Sequence, residues 1–186
     1  KIGKKNVEIK DGEFMISKKL SRKCKSIELI ITDVDGVLTD GGRYFSEKGE
    51  MMKRFHVQDG MGVNILLRNN IKTLILSKEK SKIVEKWGKS MNVFQIIQDK
   101  KIKENELPKI CKKFNIMSNQ IAYIGDDVND INLLKLVGFS ATPYNGNNLV
   151  KKNVDYVCKL SGGEGAFREI CDLILSIKFP QNNKWY

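Results

Sequence analysis

From Glu28 onward, short apolar runs alternate with longer stretches whose apolar residues recur at helical spacing. The runs Leu29–Thr32, Thr73–Leu76, Val93–Ile97, Ile121–Ile124, Gly138–Ala141 and Val154–Val157 are predicted strands. Between and after them, Gly60–Asn69, Lys80–Lys89, Glu104–Phe114, Asn129–Leu136 and Ala166–Ile177 are predicted helices. Pro108 is tolerable only in a first helical turn, so the third helix is expected to begin late. Strands that alternate with helices imply βα units, hence an α/β protein with a parallel sheet.

Two segments fall outside this rhythm. Residues 1–26 form a lysine-rich extension in which Asn6–Ile9 and Glu13–Ile16 flank Lys10-Asp11-Gly12, a small hairpin pattern, followed by a linker from Ser17 to Lys25; a flexible segment or the tail of a preceding domain fits these residues equally. Between the first strand and first helix, residues 43–56 hold two alternating segments around Glu47-Lys48-Gly49, a second hairpin. An isolated hairpin is marginal in water, and pairing with copies from other subunits would bury its apolar face. The expected organisation is an extension at 1–26, one domain at 27–178 and a tail at 179–186.

Composition narrows the class. The chain has 186 residues, enough for one domain with extensions, and its 41% hydrophobic and 30% charged residues fit a globular protein. No apolar run nears the roughly 20 residues that span a bilayer, and the lysine-rich start lacks the apolar core of a signal peptide. The chain opens on Lys1 rather than Met, which leaves room for upstream sequence. Cys24, Cys111, Cys158 and Cys171 are scattered, as reduced thiols of a cytoplasmic protein would be. His56 is the single histidine, so a zinc site has little to draw on. The net charge of +11 raises nucleic-acid binding, but the lysines are spread along the chain without an RNA- or DNA-binding motif. A solvated basic surface that attracts anionic small molecules is the expected reading, with no nucleic-acid or membrane partner.

The candidate chemistry sits at strand ends. Asp33 and Asp35 follow the first apolar run as Asp33-Val34-Asp35-Gly36-Val37-Leu38-Thr39-Asp40-Gly41. Side chains two apart on extended backbone point the same way, and ligands of open α/β sheets gather beyond the carboxyl ends of strands. One carboxylate can attack phosphorus while the other carries the proton of the leaving alcohol. Standing alone, the pair would read as a surface turn. Ser77 ends the second run, where its hydroxyl can bond a phosphoryl oxygen or cap the next helix. Gly125-Asp126-Asp127-Val128-Asn129-Asp130 follows the fourth run with hard oxygen ligands suited to Mg²⁺, and it lacks calcium-loop spacing.

These segments, in this order, resemble the haloacid dehalogenase superfamily, whose phosphatases carry DxDGxxT. Asp33-Val34-Asp35-Gly36-Val37-Leu38-Thr39-Asp40-Gly41-Gly42 is similar to its small-sugar-acid branch: 3-deoxy-manno-octulosonate 8-phosphate phosphatases, nonulosonate 9-phosphate phosphatases and the C-terminal domain of some CMP-sialate synthetases. The likeness runs from about Ile27 to Ile177. It implies a Rossmann-like parallel sheet flanked by helices, a hairpin insertion and no large cap domain. It implies Asp33 as nucleophile, Asp35 as acid and base, and Mg²⁺ held by Asp33, Asp126 and the backbone carbonyl of Asp35. Asp127 would assist through water and Asp130 would orient the loop or Lys103.

The stretch Gln98 to Lys103 aligns with the branch's Q-G-x-x-x-K-L loop, which assigns Lys103 to charge neutralisation; Asp99 stands where the family has glycine, and Lys100 and Lys101 compete for the role. In the resembled enzymes the hairpin builds a barrel at the centre of a homotetramer whose chains complete one another's sites. Ser161-Gly162-Gly163-Glu164-Gly165 and the helix after it pack near a neighbour's site there, which makes Arg168 a candidate for anion contact; as residues alone, the glycines read as a flexible loop. After Ser77, Lys78-Glu79-Lys80 is closer to the nonulosonate type than to the Gly-Arg of octulosonate enzymes, although Lys78 departs from both. The expected activity is therefore hydrolysis of a nonulosonate 9-phosphate or of octulosonate 8-phosphate, with Ser77, Lys78, Glu79 and Arg168 binding substrate. A noncatalytic assembly domain of a CMP-sialate synthetase is the alternative, opposed by the retained aspartates; a phosphate-loop hydrolase lacks its GxxxxGK[ST] motif.

Overall fold

The computed structural model describes residues 7–10 and 13–180, with side chains from Ser17 onward. Residues 1–6, the turn at 11–12 and the tail from 181 lie outside the described residues. Strands β1 (Val7–Lys10) and β2 (Glu13–Ile16) pair antiparallel as the expected first hairpin. The stretch expected as a linker is instead helix α1 (Lys18–Lys25). Ser17 caps it by accepting a hydrogen bond from the Leu20 amide at 3.1 Å. Only Leu20 and Cys24, four residues apart, are buried, so a single narrow stripe holds the helix against the core. Six of its other residues are lysine, arginine or serine, which hid that stripe from a reading by composition.

Next come β3 (Leu29–Thr32), the hairpin strands β4 (Tyr44–Ser46) and β5 (Gly49–Met52), α2 (Val57–Arg68), β6 (Lys72–Leu76), α3 (Lys82–Ser90) and β7 (Gln95–Ile97). The chain then runs through α4 (Leu107–Phe114), β8 (Ile121–Ile124), α5 (Ile131–Leu136), β9 (Phe139–Thr142), α6 (Asn148–Lys151), β10 (Tyr156–Val157) and α7 (Ala166–Lys178). Six strands form one parallel sheet in the order β10-β9-β8-β3-β6-β7. All six were predicted, with shorter ends in places. Val93, for example, gives its amide to Gly88 at the end of α3 and not to a neighbouring strand. Pro108 lies in the first turn of α4, as expected, because a 3₁₀ turn at Lys103–Glu106 carries the preceding residues. The four-residue α6 was not anticipated.

Both sheet faces are covered. Ile30, Ile75, Ala122 and Ile124 pack with Phe167, Ile170 and Ile174 on one side. Leu29, Ile31, Leu74, Leu76 and Tyr123 pack with Leu107, Ile110 and Leu133 on the other. Alternate residues of one strand thus enter different cores, which is why the runs read as continuously apolar. Fully burying each such aliphatic side chain contributes about 1.5–3 kcal/mol. The order makes β3 the switch point: the chain continues to β6 on one side and later to β8 on the other.

Candidate active site

Asp33 follows β3 directly, Ser77 follows β6 and Asp126 lies two residues past β8. All three therefore stand at the carboxyl edge of neighbouring strands. The Asp33 amide donates to Ile124 O at 2.9 Å, tying the two loops together. Its Oδ1 accepts from the Val34 amide at 2.7 Å, and its Oδ2 lies 2.6 Å from Lys103 Nζ.

Lys103 is fully buried and is the lysine of its cluster that enters the site; Lys100 instead pairs with Glu106 at 3.7 Å. Its ammonium also contacts Asp130 Oδ1 at 2.7 Å and donates to the Tyr123 hydroxyl at 3.1 Å. Tyr123 in turn donates to the same Asp130 oxygen at 2.6 Å. The second oxygen of Asp130 accepts from the amides of Asp126 and Asp127 at 3.0 and 3.3 Å. Asp130 thereby fixes both Lys103 and the loop that presents Asp126.

Oxygens of Asp33, Asp126 and Asp130 lie within 4.8 Å of one another. Three carboxylates around one buried ammonium leave an excess of negative charge. Burial, aided by Asp33 and Asp130, pushes Asp126 up from 3.8 to about 8. Burial likewise pushes Asp33 up to about 6, against the pull of Lys103. Among the described residues no cation pairs with Asp126. Hard oxygens, close spacing and uncompensated charge fit a divalent cation such as Mg²⁺. Gly36, at φ +84°, brings the loop against this cluster: a Cβ there would sit 2.1 Å from Asp126 Oδ2.

Asp35 is partly exposed, and its Oδ1 accepts from Lys53 Nζ at 2.6 Å and Thr39 Oγ1 at 3.5 Å. Ser77 is buried and accepts the Glu79 amide on its Oγ at 3.2 Å. Ser81, not Ser77, occupies the N-cap position of α3, so the capping alternative for Ser77 falls away. A cleft of about 290 Å³ is lined by Asp33, Asp35, Ser77, Lys78, Glu79, Asp126 and Asp127, together with Gly36, Gly41, Arg43 and Asn129. Arg168 lies outside it, paired with Asp172 at 2.7 Å.

Three features went unread in the sequence. Lys53 and Tyr123 reach the site from a hairpin and from a strand interior that reads as plain core. The glycine segment before α7 packs on the Asp33 loop of its own chain. A Cβ on Gly162 would fall 1.8 Å from Gly36 O, and the Gly163 amide donates to Val37 O at 3.0 Å. Close backbone contact, not the flexibility read from the residues, is what those glycines supply.

Residues 63–170 match the haloacid dehalogenase-like hydrolase family. The chain is 36% identical over 160 residues to the 3-deoxy-D-manno-octulosonate 8-phosphate phosphatase KdsC of Salmonella typhi, covering 86% of this chain and 85% of that protein. The cobalt-bound deoxy-D-mannose-octulosonate 8-phosphate phosphatase of Haemophilus influenzae superposes with a TM-score of 0.82 at 36% identity, covering 84% of this chain and 91% of the other. The Moraxella catarrhalis 3-deoxy-D-manno-octulosonate 8-phosphate phosphatase, solved with magnesium, phosphate and KDO, gives 0.82 at 35% identity, over 85% and 91% of the two chains. With motifs, sheet order and these likenesses in agreement, the chain belongs to the haloacid dehalogenase-like hydrolases.

Proposed function

We propose that this protein is a Mg²⁺-dependent phosphatase of a 3-deoxy-2-ulosonic acid phosphate, working through an aspartyl-phosphate. The observation that carries the reading is Lys103, buried between Asp33 and Asp130, whose oxygens lie within 4.8 Å of Asp126. An ammonium so placed offsets the charge of the carboxylate that must approach an anionic phosphate.

Asp33 attacks phosphorus in line with the sugar oxygen, forming a carboxylate O–P bond as the P–O bond to the sugar breaks. Asp35 gives its proton to the departing alkoxide. Water then attacks the aspartyl-phosphate while Asp35 takes a proton from it, releasing phosphate and restoring Asp33 as a carboxylate and Asp35 as an acid. Ser77 orients a phosphoryl oxygen, and Lys78 and Glu79 meet the sugar acid at the mouth of the cleft. Asp33, Asp126 and the Asp35 carbonyl would hold Mg²⁺, with Asp127 assisting through water, and the ion would supply positive charge that screens the repulsion between phosphate and the carboxylates.

Relatives at 35–36% identity support octulosonate 8-phosphate as the lead substrate. A nonulosonate 9-phosphate is retained as the second reading because Glu79 lines the cleft. The site is further read as cytoplasmic and as part of a homotetramer built on the β4–β5 hairpins, with Arg168 serving a neighbour's cleft. Phosphate release from octulosonate 8-phosphate, neuraminate 9-phosphate and its deaminated analogue, with and without Mg²⁺, tests this. Octulosonate 8-phosphate should turn over with the highest kcat/KM and only with the metal. Inactivity on all three would favour a noncatalytic assembly role.

A further inference from the structure

Lys53, one residue past β5, has a side chain only 1% exposed, although the hairpin that carries it is largely solvated. Its ammonium reaches Asp35 Oδ1 at 2.6 Å and Glu50 Oε1 at 2.8 Å. Glu50 Oε2 accepts a hydrogen bond from Ser81 Oγ at 2.8 Å. The chain Asp35–Lys53–Glu50–Ser81 therefore links the loop after β3, the foot of the hairpin and the start of α3. Stacking of Phe55 on Trp87, with centroids 4.4 Å apart, anchors the same foot to α3.

We propose that Lys53 is a positioning residue that fixes the carboxylate of Asp35 for its proton transfers; this rests on the phosphatase reading above. A buried lysine is a costly strut, since apolar side chains of similar volume hold hairpins at least as well. Its partner is the one carboxylate that must meet first the leaving oxygen and then the water. Lys53 and Thr39 both contact Oδ1, which leaves Oδ2 as the oxygen that exchanges the proton. Locking the rotamer of an acid–base group is how supporting contacts raise rate without touching substrate. Glu50 holds the ammonium from behind, so Lys53 keeps its reach to Asp35 across the base of an exposed hairpin.

The test uses the Mg²⁺-loaded full chain and two substrates that differ in their need for a proton. The sugar leaves as an alkoxide and needs a proton in the first step; nitrophenolate, from p-nitrophenyl phosphate, leaves as a stable anion and does not, while the later water step is the same for both. Lys53→Met should lower kcat on the sugar-acid phosphate by about 100-fold, the lower end for a general acid–base contribution. Its rate of aspartyl-phosphate formation from p-nitrophenyl phosphate, read as the pre-steady-state burst of nitrophenolate, should change less than about threefold, since only the later water step draws on Asp35 there. In an Asp35→Asn background the same replacement should cost nothing further, because residues acting through one another are not additive. Glu50→Gln, which keeps Lys53, should show the same split in weaker form and serves if Lys53→Met fails to fold. An equal loss in sugar-acid turnover and in the nitrophenolate burst, or full additivity with Asp35→Asn, would reduce Lys53 to a structural strut. A parent protein inactive on both substrates would overturn the phosphatase reading itself, whereas an active parent with no split in the variants sinks only this inference.

Discussion

Lys103 shows how much of the site depends on one charge. It is buried with Asp33 and Asp130, and removing one member of a buried ion pair costs about 3–5 kcal/mol because the partners stay behind unpaired. Lys103→Met should therefore lower the melting temperature of the metal-free protein and reduce phosphate release by at least about 100-fold. Lys100→Met, which removes only the 3.7 Å contact to Glu106, should leave both within error. Thermal melts and steady-state rates on the two variants check the contrast. Asp33, Asp35, Asp126 and Asp130 were legible because each lies in a contiguous motif at a strand end. Lys53 was not, since it meets Asp35 only after the hairpin folds back across 18 positions. Tyr123 was not, because a tyrosine in a buried strand announces its packing and not its hydroxyl.

The start of α7 is held from a distance by Asp59 of α2. Asp59 is wholly buried and accepts backbone hydrogen bonds from Gly165 and Arg168, the latter at 2.8 Å, while its Oδ2 has no partner among the described residues. Burial pushes its carboxyl up from 3.8 to about 6. An acid raised in the folded state binds more protons than the unfolded chain between those values, so stability falls as pH rises from about 4 to about 6. Asp59→Asn keeps the accepting oxygen and abolishes the titration. The variant should lose less stability than the parent across that window, by up to about 3 kcal/mol in total. Urea unfolding from pH 4 to 7 measures it. At this scale the strands and long helices were legible from periodicity alone. Helix α1 was missed because two buried residues among lysines carry no visible amphipathic pattern until α7 is there to receive them.

At the scale of the molecule, the exposed side chains of the hairpin point outward from an otherwise covered sheet. Phe45 is 58% and Met51 61% exposed, on strands with no further pairing partner among the described residues. If four hairpins close on one another, replacing both residues by serine should give a protein of monomer mass by light scattering whose melting transition is retained. A variant that stays tetrameric would remove the hairpin from the assembly. That β3 lies between β8 and β6 accords with the chemistry placed on those three strand ends, whereas the positions of β7, β9 and β10 were not legible from the motifs. The packing of the glycine segment against the Asp33 loop was out of reach, since no local pattern tells which backbone a glycine approaches.

The proposed chemistry depends on Asp33 as the group that takes the phosphate, and Asp33→Asn probes it most directly. With Mg²⁺ and the sugar-acid phosphate, the variant should still unfold in one cooperative transition and release no measurable phosphate. Release at the parent rate from a folded Asp33→Asn protein would contradict the account.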